Sequence, residues 1–344
     1  MRAAYLIAPR EIELRDDAVP RAQAGGMVIR VRAALTDGTD LKAFRRGHPR
    51  MPMPTRFGHE FSGDVATVGE GVRTFLPGDA VACVHSAPCG RCFWCVRHQE
   101  ELCEHVMETM ILGAYAEYIA VPPHIVGRNA FPKPANLSYE AAAFLEPLSC
   151  VVHSLDLLAP ERGSRLLVIG DGAFGILHGA VARALFSCDA MLVGHHAERM
   201  AIARRFGLDP VVDVRDDAAL LAMVQRLTHG RGADAVIECT GAIDVWERAP
   251  RYVRRGGTVV LFGGLPPQER PSFDAFRLHY DEVRLVSPFH FTPRAVRRAY
   301  DLLASGAIDP MPLVSARYAL EDVARAFLDL EGRSGLKYAI VPAA

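Results

Sequence analysis

The sequence has almost no net charge: 39 Lys and Arg stand against 40 Asp and Glu in 344 residues. That removes the electrostatic footprint needed to grip nucleic acid or an anionic membrane, and any pull on a strongly charged substrate. No apolar run reaches the ~18 residues of a membrane span. The N-terminus, MRAAYLIAPREIELRDD, soon turns charged. It does not read as a signal peptide, so a cytoplasmic address is expected by default. Tandem repeats and low-complexity tracts are missing too. Cysteine is sparse: of eight, four crowd into residues 89–103, while Cys83, Cys150, Cys188 and Cys239 are scattered. A disulfide scaffold would spread its pairs over a short secreted chain, whereas clustering in a long chain reads as metal binding.

Half the residues are apolar and 23% are charged, a composition able to bury large cores, and the length suggests two domains. Up to about residue 145, short β-like runs are broken by Gly and Pro: MVIRVRAAL, HEFSGDVATVGEGV, DAVACV, YAEYIAV. They predict a compact β barrel or folded sheet. Residues 137–159 have helical periodicity with a Pro break. From 165 the texture changes. RLLVIG, AMLVG, DPVVDV, DAVIECTG and TVVLFGG recur as strands with helical stretches between them, which predicts a doubly wound parallel sheet. A clear helix, PRAVRRAYDLLASG, and a final strand, LKYAIVP, follow.

RLLVIGDGAFGILHG carries G-x-G-x-x-G at Gly170, Gly172 and Gly175, between a strand and a helix. The first glycine permits the tight turn, the second lets a pyrophosphate approach, and the third lets helix and strand pack. The helix N-terminus then offers free N–H groups to phosphate. The end of the second strand discriminates NAD from NADP, because an acid there holds the ribose 2′-hydroxyl. Here Gly194 stands in its place, followed by His195, His196 and Arg199. With no carboxylate to repel a 2′-phosphate and basic groups able to bond to it, NADP is favoured over NAD. The alternative is a plain strand end that admits both cofactors.

CGRCFWCVRHQEELC places Cys89, Cys92, Cys95 and Cys103 in one loop. Four thiolates close a tetrahedron around Zn²⁺ with no open position, so the site is structural. A zinc ribbon that grips nucleic acid would need a basic loop, and this one has mixed charge.

With these pieces together, the chain resembles the zinc-containing medium-chain dehydrogenase/reductase family over its whole length. RFGHEFSGDVATVGEGVRTFLPGDAV, the cysteine lobe, LEPLSCVVH and the glycine turn come in that family's order. Glu146 in EPLSC and the RLHYDE stretch at 277–282 resemble the sorbitol/iditol-type polyol and sugar dehydrogenases. The resemblance implies a two-domain α/β protein with a GroES-like β-barrel catalytic domain and a Rossmann doubly wound sheet. Their spans would be 1–148 (structural zinc lobe about 89–103), 149–284 for the Rossmann domain, and 285–344 returning to the catalytic domain.

It also implies a catalytic zinc held by Asp37, His59 and Glu146, with Glu60 as an alternate or supporting ligand. Position 37 is usually cysteine in the family, although some of its sugar dehydrogenases carry aspartate. Chemically an O,N,O set suits Zn²⁺, and two carboxylates neutralise its charge. Oxygen donors also make Mn²⁺ or Fe²⁺ more acceptable. TDGTD is equally rich in turn formers, so Asp37 as a turn residue beside an empty site remains open. Thr39 matches the family's proton-relay hydroxyl. Lys42 is either the next proton acceptor or a charge near the cofactor ribose. Phe174, Arg199, Phe262, Gly263, Gly264, Phe289 and His290 fall at cofactor-contact positions, with His290 equally readable as a packed loop histidine. The implied activity is reversible oxidation of a secondary alcohol of a polyol, sugar or cyclitol by hydride transfer to NADP or NAD. A homodimer or homotetramer and a small-molecule substrate are expected, with no nucleic acid and no membrane. The alternative is a nucleotide-binding member that keeps only the structural zinc.

Overall fold

The computed structural model describes residues 1–48, 51–332 and 335–343. The chain divides into two compact units, Met1–Ser149 with Phe291–Ala344, and Cys150–His290.

The first unit is organised by one sheet. Its order is Val314–Ala319, Lys337–Val341, Met27–Leu35, Glu60–Val68, Ala80–Cys83 and Ala130–Pro132, with Tyr118–Val121 also paired to Met27–Leu35. The C-terminal segment belongs here because Lys337–Val341 lies antiparallel to Met27–Leu35, with Ala339 opposite Leu35. Leu35 also faces Glu60 across the next ladder. One end of three neighbouring strands therefore gathers residues from both ends of the chain. A smaller sheet joins Glu11–Asp16, Arg2–Ala8 and Thr55–Arg56. Phe44, Phe57, Phe61, Tyr115 and Phe327 fill the core, and the Phe57 and Phe327 rings sit 5.1 Å apart. The helix expected over 137–159 is two helices, Tyr139–Ala143 and Leu145–Leu158. The break falls at Phe144 and not at Pro147. That proline lies in the first turn of the second helix, where its missing N–H has no partner to lose.

The second unit is a six-stranded parallel sheet. Its order is Val211–Val212, Asp189–Val193, Arg165–Ile169, Ala233–Glu238, Val253–Leu261 and Arg284–Val286. From Arg165–Ile169 the chain winds outward through two strands, then returns to the other side at Ala233–Glu238. That reversal is a topological switch point, and the crevice beyond the strands' C-terminal ends is where such sheets bind ligands. The strands are almost wholly apolar because helices cover a parallel sheet on both faces.

Candidate metal centre and cofactor turn

Met27–Leu35 ends at Thr36, which is locked to the C-terminal strand. Its N–H donates to the Tyr338 carbonyl at 2.9 Å, and its Oγ1 accepts the Tyr338 N–H at 2.9 Å. Asp37 follows as the N-cap of the helix Gly38–Arg46, where its Oδ2 accepts the Thr39 N–H at 2.7 Å. The other carboxylate oxygen, Oδ1, is buried and accepts no hydrogen bond among the described residues, although the Lys337 Nζ stands 3.8 Å away. A buried carboxylate oxygen that accepts no hydrogen bond is costly, and one with lone pairs still open can take an ion.

His59 and Glu60 come from the start of the neighbouring strand. Ligand atoms of Asp37, His59 and Glu60 all lie within 4.8 Å of one another, and the three residues are buried. His59 is aimed by Asp40, whose Oδ1 lies 3.0 Å from Nδ1. That bond leaves Nε2, 3.7 Å from Asp37 Oδ2, to face the carboxylate. Asp40 is held in turn by the Tyr115 hydroxyl at 2.7 Å. Gly58 has φ +90°, and a Cβ there would lie 2.8 Å from the Tyr115 ring, so the residue before His59 must be glycine. Burial alone would depress the His59 pKa, but the Asp40, Glu146 and Asp37 carboxylates raise it well above its usual range. This is an environment that attracts a cation. Glu146 is buried at the margin of the group, its Oε1 3.6 Å from His85 Nδ1. Glu60 is engaged by Lys337, whose Nζ lies 2.6 Å from each of its oxygens. Thr39 and Lys42 are half-buried and three residues apart on the Gly38–Arg46 helix, hence on one face. The donor chemistry and the convergence of these ligand atoms fit a zinc ion.

The cysteine lobe also closes. Cys89, Cys92, Cys95 and Cys103 sulfurs lie within 4.8 Å of one another, with Cys89–Cys95 at 3.9 Å and Cys92–Cys95 at 3.5 Å. Zn–S bonds of about 2.3 Å in a tetrahedron space sulfurs by roughly 3.8 Å. The Cys95 amide helps lower the Cys92 thiol to about 6, while burial pushes Cys95 up to about 12. Trp94 packs edge-on to Phe93 in the lobe.

In the second unit, the residues expected to touch a dinucleotide are gathered from a long stretch of sequence to one edge of the sheet. Gly170, Gly194, Phe262–Gly264 and Phe289–His290 follow the C-terminal ends of four parallel strands. Gly170 has φ +118°. A Cβ on Gly175 would meet the Gly170 carbonyl at 2.0 Å, whereas one on Gly172 would meet nothing within 4 Å. The open space at Gly172, at the N-terminus of the helix Ala173–Phe186, fits a pyrophosphate. Phe174 packs on Phe262 at 5.0 Å. Gly263 approaches Gly241 so closely that a Cβ would lie 2.2 Å from its nitrogen. Phe289 is exposed, and His290, half-buried with φ 61°, lies 5.7 Å from it.

The basic groups after Gly194 are not unopposed, as the sequence suggested. Asp171, inside the glycine turn, reaches across to them. Its Oδ2 accepts the His195 and His196 N–H groups at 2.8 Å each, and His196 Nδ1 lies 3.0 Å away. Arg199 Nη1 stands 4.0 Å from its Oδ1. His195 is paired with Asp213 at 2.7 Å. Sequence reasoning passed over Asp40, Tyr115, Asp171 and Lys337. Two of them left a trace, an acid inside the glycine turn and a lysine in an apolar final strand.

Two domain families account for most of the chain. Residues 23–132 match the alcohol dehydrogenase GroES-like domain, and residues 173–305 match the zinc-binding dehydrogenase domain. The chain belongs to the zinc-containing medium-chain dehydrogenase/reductase family, with a GroES-like unit and a Rossmann unit. It is 31% identical to D-arabinitol dehydrogenase 1 of Uromyces fabae, over 99% of this chain and 97% of that one. It is 30% identical to sorbitol dehydrogenase of Bacillus subtilis, over 93% and 91%. A Sinorhizobium meliloti protein solved bound to NADP superposes with a TM-score of 0.88 at 29% identity, covering 99% of each chain.

Proposed function

We propose that this chain is a zinc-dependent enzyme that reversibly oxidises a secondary alcohol of a polyol, sugar or cyclitol, with NADP preferred over NAD. The arabinitol and sorbitol dehydrogenases among its relatives support the substrate class. The observation that carries the reading is the buried Asp37–His59–Glu60 group, whose ligand atoms converge and whose Asp37 Oδ1 accepts no hydrogen bond among the described residues. Asp37, His59 and Glu146 would hold the zinc, with Glu60 as an alternate. Zinc bound there would supply the Lewis acidity that makes a substrate hydroxyl a better acid.

The chain's own residues do the rest. Asp40 fixes the His59 ring, so Nε2 is presented as the ligand atom. The Thr39 hydroxyl takes the substrate's hydroxyl proton and passes its own to Lys42 in its neutral amine form, which releases it to water. A nicotinamide dinucleotide bound at the glycine turn would supply the acceptor for the carbinol hydrogen as hydride. One alcohol and one NADP⁺ thus give one ketone, one NADPH and one proton. The glycine turn and the Phe174–Phe262 pair orient the dinucleotide. The cysteine lobe would hold a second, structural zinc.

The test is metal per chain by plasma mass spectrometry, then NADP and NAD reduction over a polyol and sugar panel before and after chelation. About two zincs per chain and chelator-sensitive turnover are expected. No turnover on any panel member with fully metal-loaded protein would sink the proposal.

A further inference from the structure

We infer that Asp171 sets how strongly this chain distinguishes the 2′-phosphate of NADP from the 2′-hydroxyl of NAD, standing in for the acid its second Rossmann strand lacks. The inference rests on the reading that a dinucleotide binds at this glycine turn.

The geometry is unusual in where the carboxylate comes from. A Cβ placed on Gly194 would lie 2.4 Å from Asp171 Cβ and 2.6 Å from its Oδ2. The Asp171 carboxylate therefore occupies the space where a side chain at the strand end would begin. The end of Asp189–Val193 does have an acid, but it projects from the neighbouring turn. Gly194 is glycine because any side chain there would expel it. Asp171 is only 6% exposed, and it ties the turn through two backbone N–H groups and His196.

Charge gives the consequence. Arg199 and Arg215 face Asp171 and Asp213, so beside His195 and His196 each guanidinium is matched by a carboxylate. A dianionic 2′-phosphate entering here meets Arg199 already opposed by Asp171. A 2′-hydroxyl carries no such charge and is little affected. Asp171 thus weakens a preference for NADP that the basic residues alone would make steep, and it keeps NAD usable. It acts through Arg199 and His196 and is a positioning and specificity residue.

The experiment compares two probes on the full-length, metal-loaded protein by calorimetry: adenosine 2′,5′-bisphosphate and 5′-AMP. Asp171→Asn removes the charge and keeps an oxygen for the backbone N–H groups. The ratio of affinities, bisphosphate over 5′-AMP, is expected to rise about tenfold, with 5′-AMP binding nearly unchanged. Gly194→Ala supplies an independent arm, because its methyl group must displace the same carboxylate, and the ratio must rise there too. An unchanged or falling ratio in a folded variant overturns the inference, as does loss of both probes by both variants. The wild-type ratio is a separate readout: a preference for 5′-AMP would sink the NADP reading, while the change from wild type to variant still decides the role of Asp171.

Discussion

Lys337 Nζ lies 2.6 Å from both carboxylate oxygens of Glu60, and neither residue is more than 2% exposed. The ammonium also donates to the Thr36 carbonyl at 2.9 Å and stands 3.8 Å from Asp37 Oδ1. Burial opposes the lysine's charge, but the Glu60 and Asp37 carboxylates more than offset it and raise its pKa. The C-terminal strand thus contributes a cation to a centre otherwise dominated by acids.

Removing that cation strands a buried carboxylate. Lys337→Met should destabilise the protein by about 3–5 kcal/mol, as breaking a buried pair does. Adding Glu60→Gln should recover part of the loss, since the Glu60 charge is gone while the buried Asp37 carboxylate still lacks its ammonium. Urea unfolding of the single and double variants checks this. A single variant as stable as wild type would mean that the pair contributes little.

Asp37 has two tasks that can be separated. Asparagine caps helices as well as aspartate does, so Asp37→Asn should keep stability within about 1 kcal/mol. It removes the ligand charge, however. Bound zinc should fall from about two to one per chain after dialysis, with activity down at least about 100-fold. Asp37→Ala should lose the metal and, in addition, about 1 kcal/mol of helix capping. Retention of two zincs by Asp37→Asn would show that Asp37 is a cap and no more.

The parts of this molecule that were legible in sequence are those whose physics is local. The glycine turn shows because each glycine answers a backbone demand within six residues of chain. The cysteine lobe shows because its four ligands sit in one short loop. The Lys337–Glu60 pair spans 277 positions and exists only because the last strand pairs with Met27–Leu35, a long-range registration that no local pattern encodes. Asp171 was hidden differently. It occupies a variable position of a known motif, and its importance comes from a neighbour having no side chain. The break at Phe144 is invisible locally, because Pro147 reads as a breaker in sequence while the first turn of a helix tolerates it.

Two glycines of the same turn should separate stability from binding. Gly172 has open space for a Cβ, so Gly172→Ala should melt like wild type but bind NADP at least about tenfold more weakly, because the methyl group fills the pyrophosphate's approach. A Cβ on Gly175 would lie 2.0 Å from the Gly170 carbonyl, so Gly175→Ala should lower the melting temperature as well as the affinity. Thermal melts with and without NADP separate the two. Equal melting temperatures would argue against the close packing of turn and helix.

His178 gives the Rossmann unit an acid-sensitive point. Its Nδ1–H donates to the Phe174 carbonyl at 2.7 Å, and its Nε2 lies 3.0 Å from Ser154 Oγ. Burial holds its pKa down at about 4, against about 6.5 in an unfolded chain. A base with a depressed folded pKa binds its proton more readily when unfolded. Stability is therefore full above pH 6.5 and is lost as pH falls towards 4, by about 3 kcal/mol for this one group. His178→Gln removes the titration. Relative to that variant, wild-type unfolding free energy should decline by about this amount between pH 7 and pH 4, in denaturant titrations at each pH. Parallel curves would mean that the ring is protonated within the fold and that Ser154 turns its oxygen to accept the new N–H.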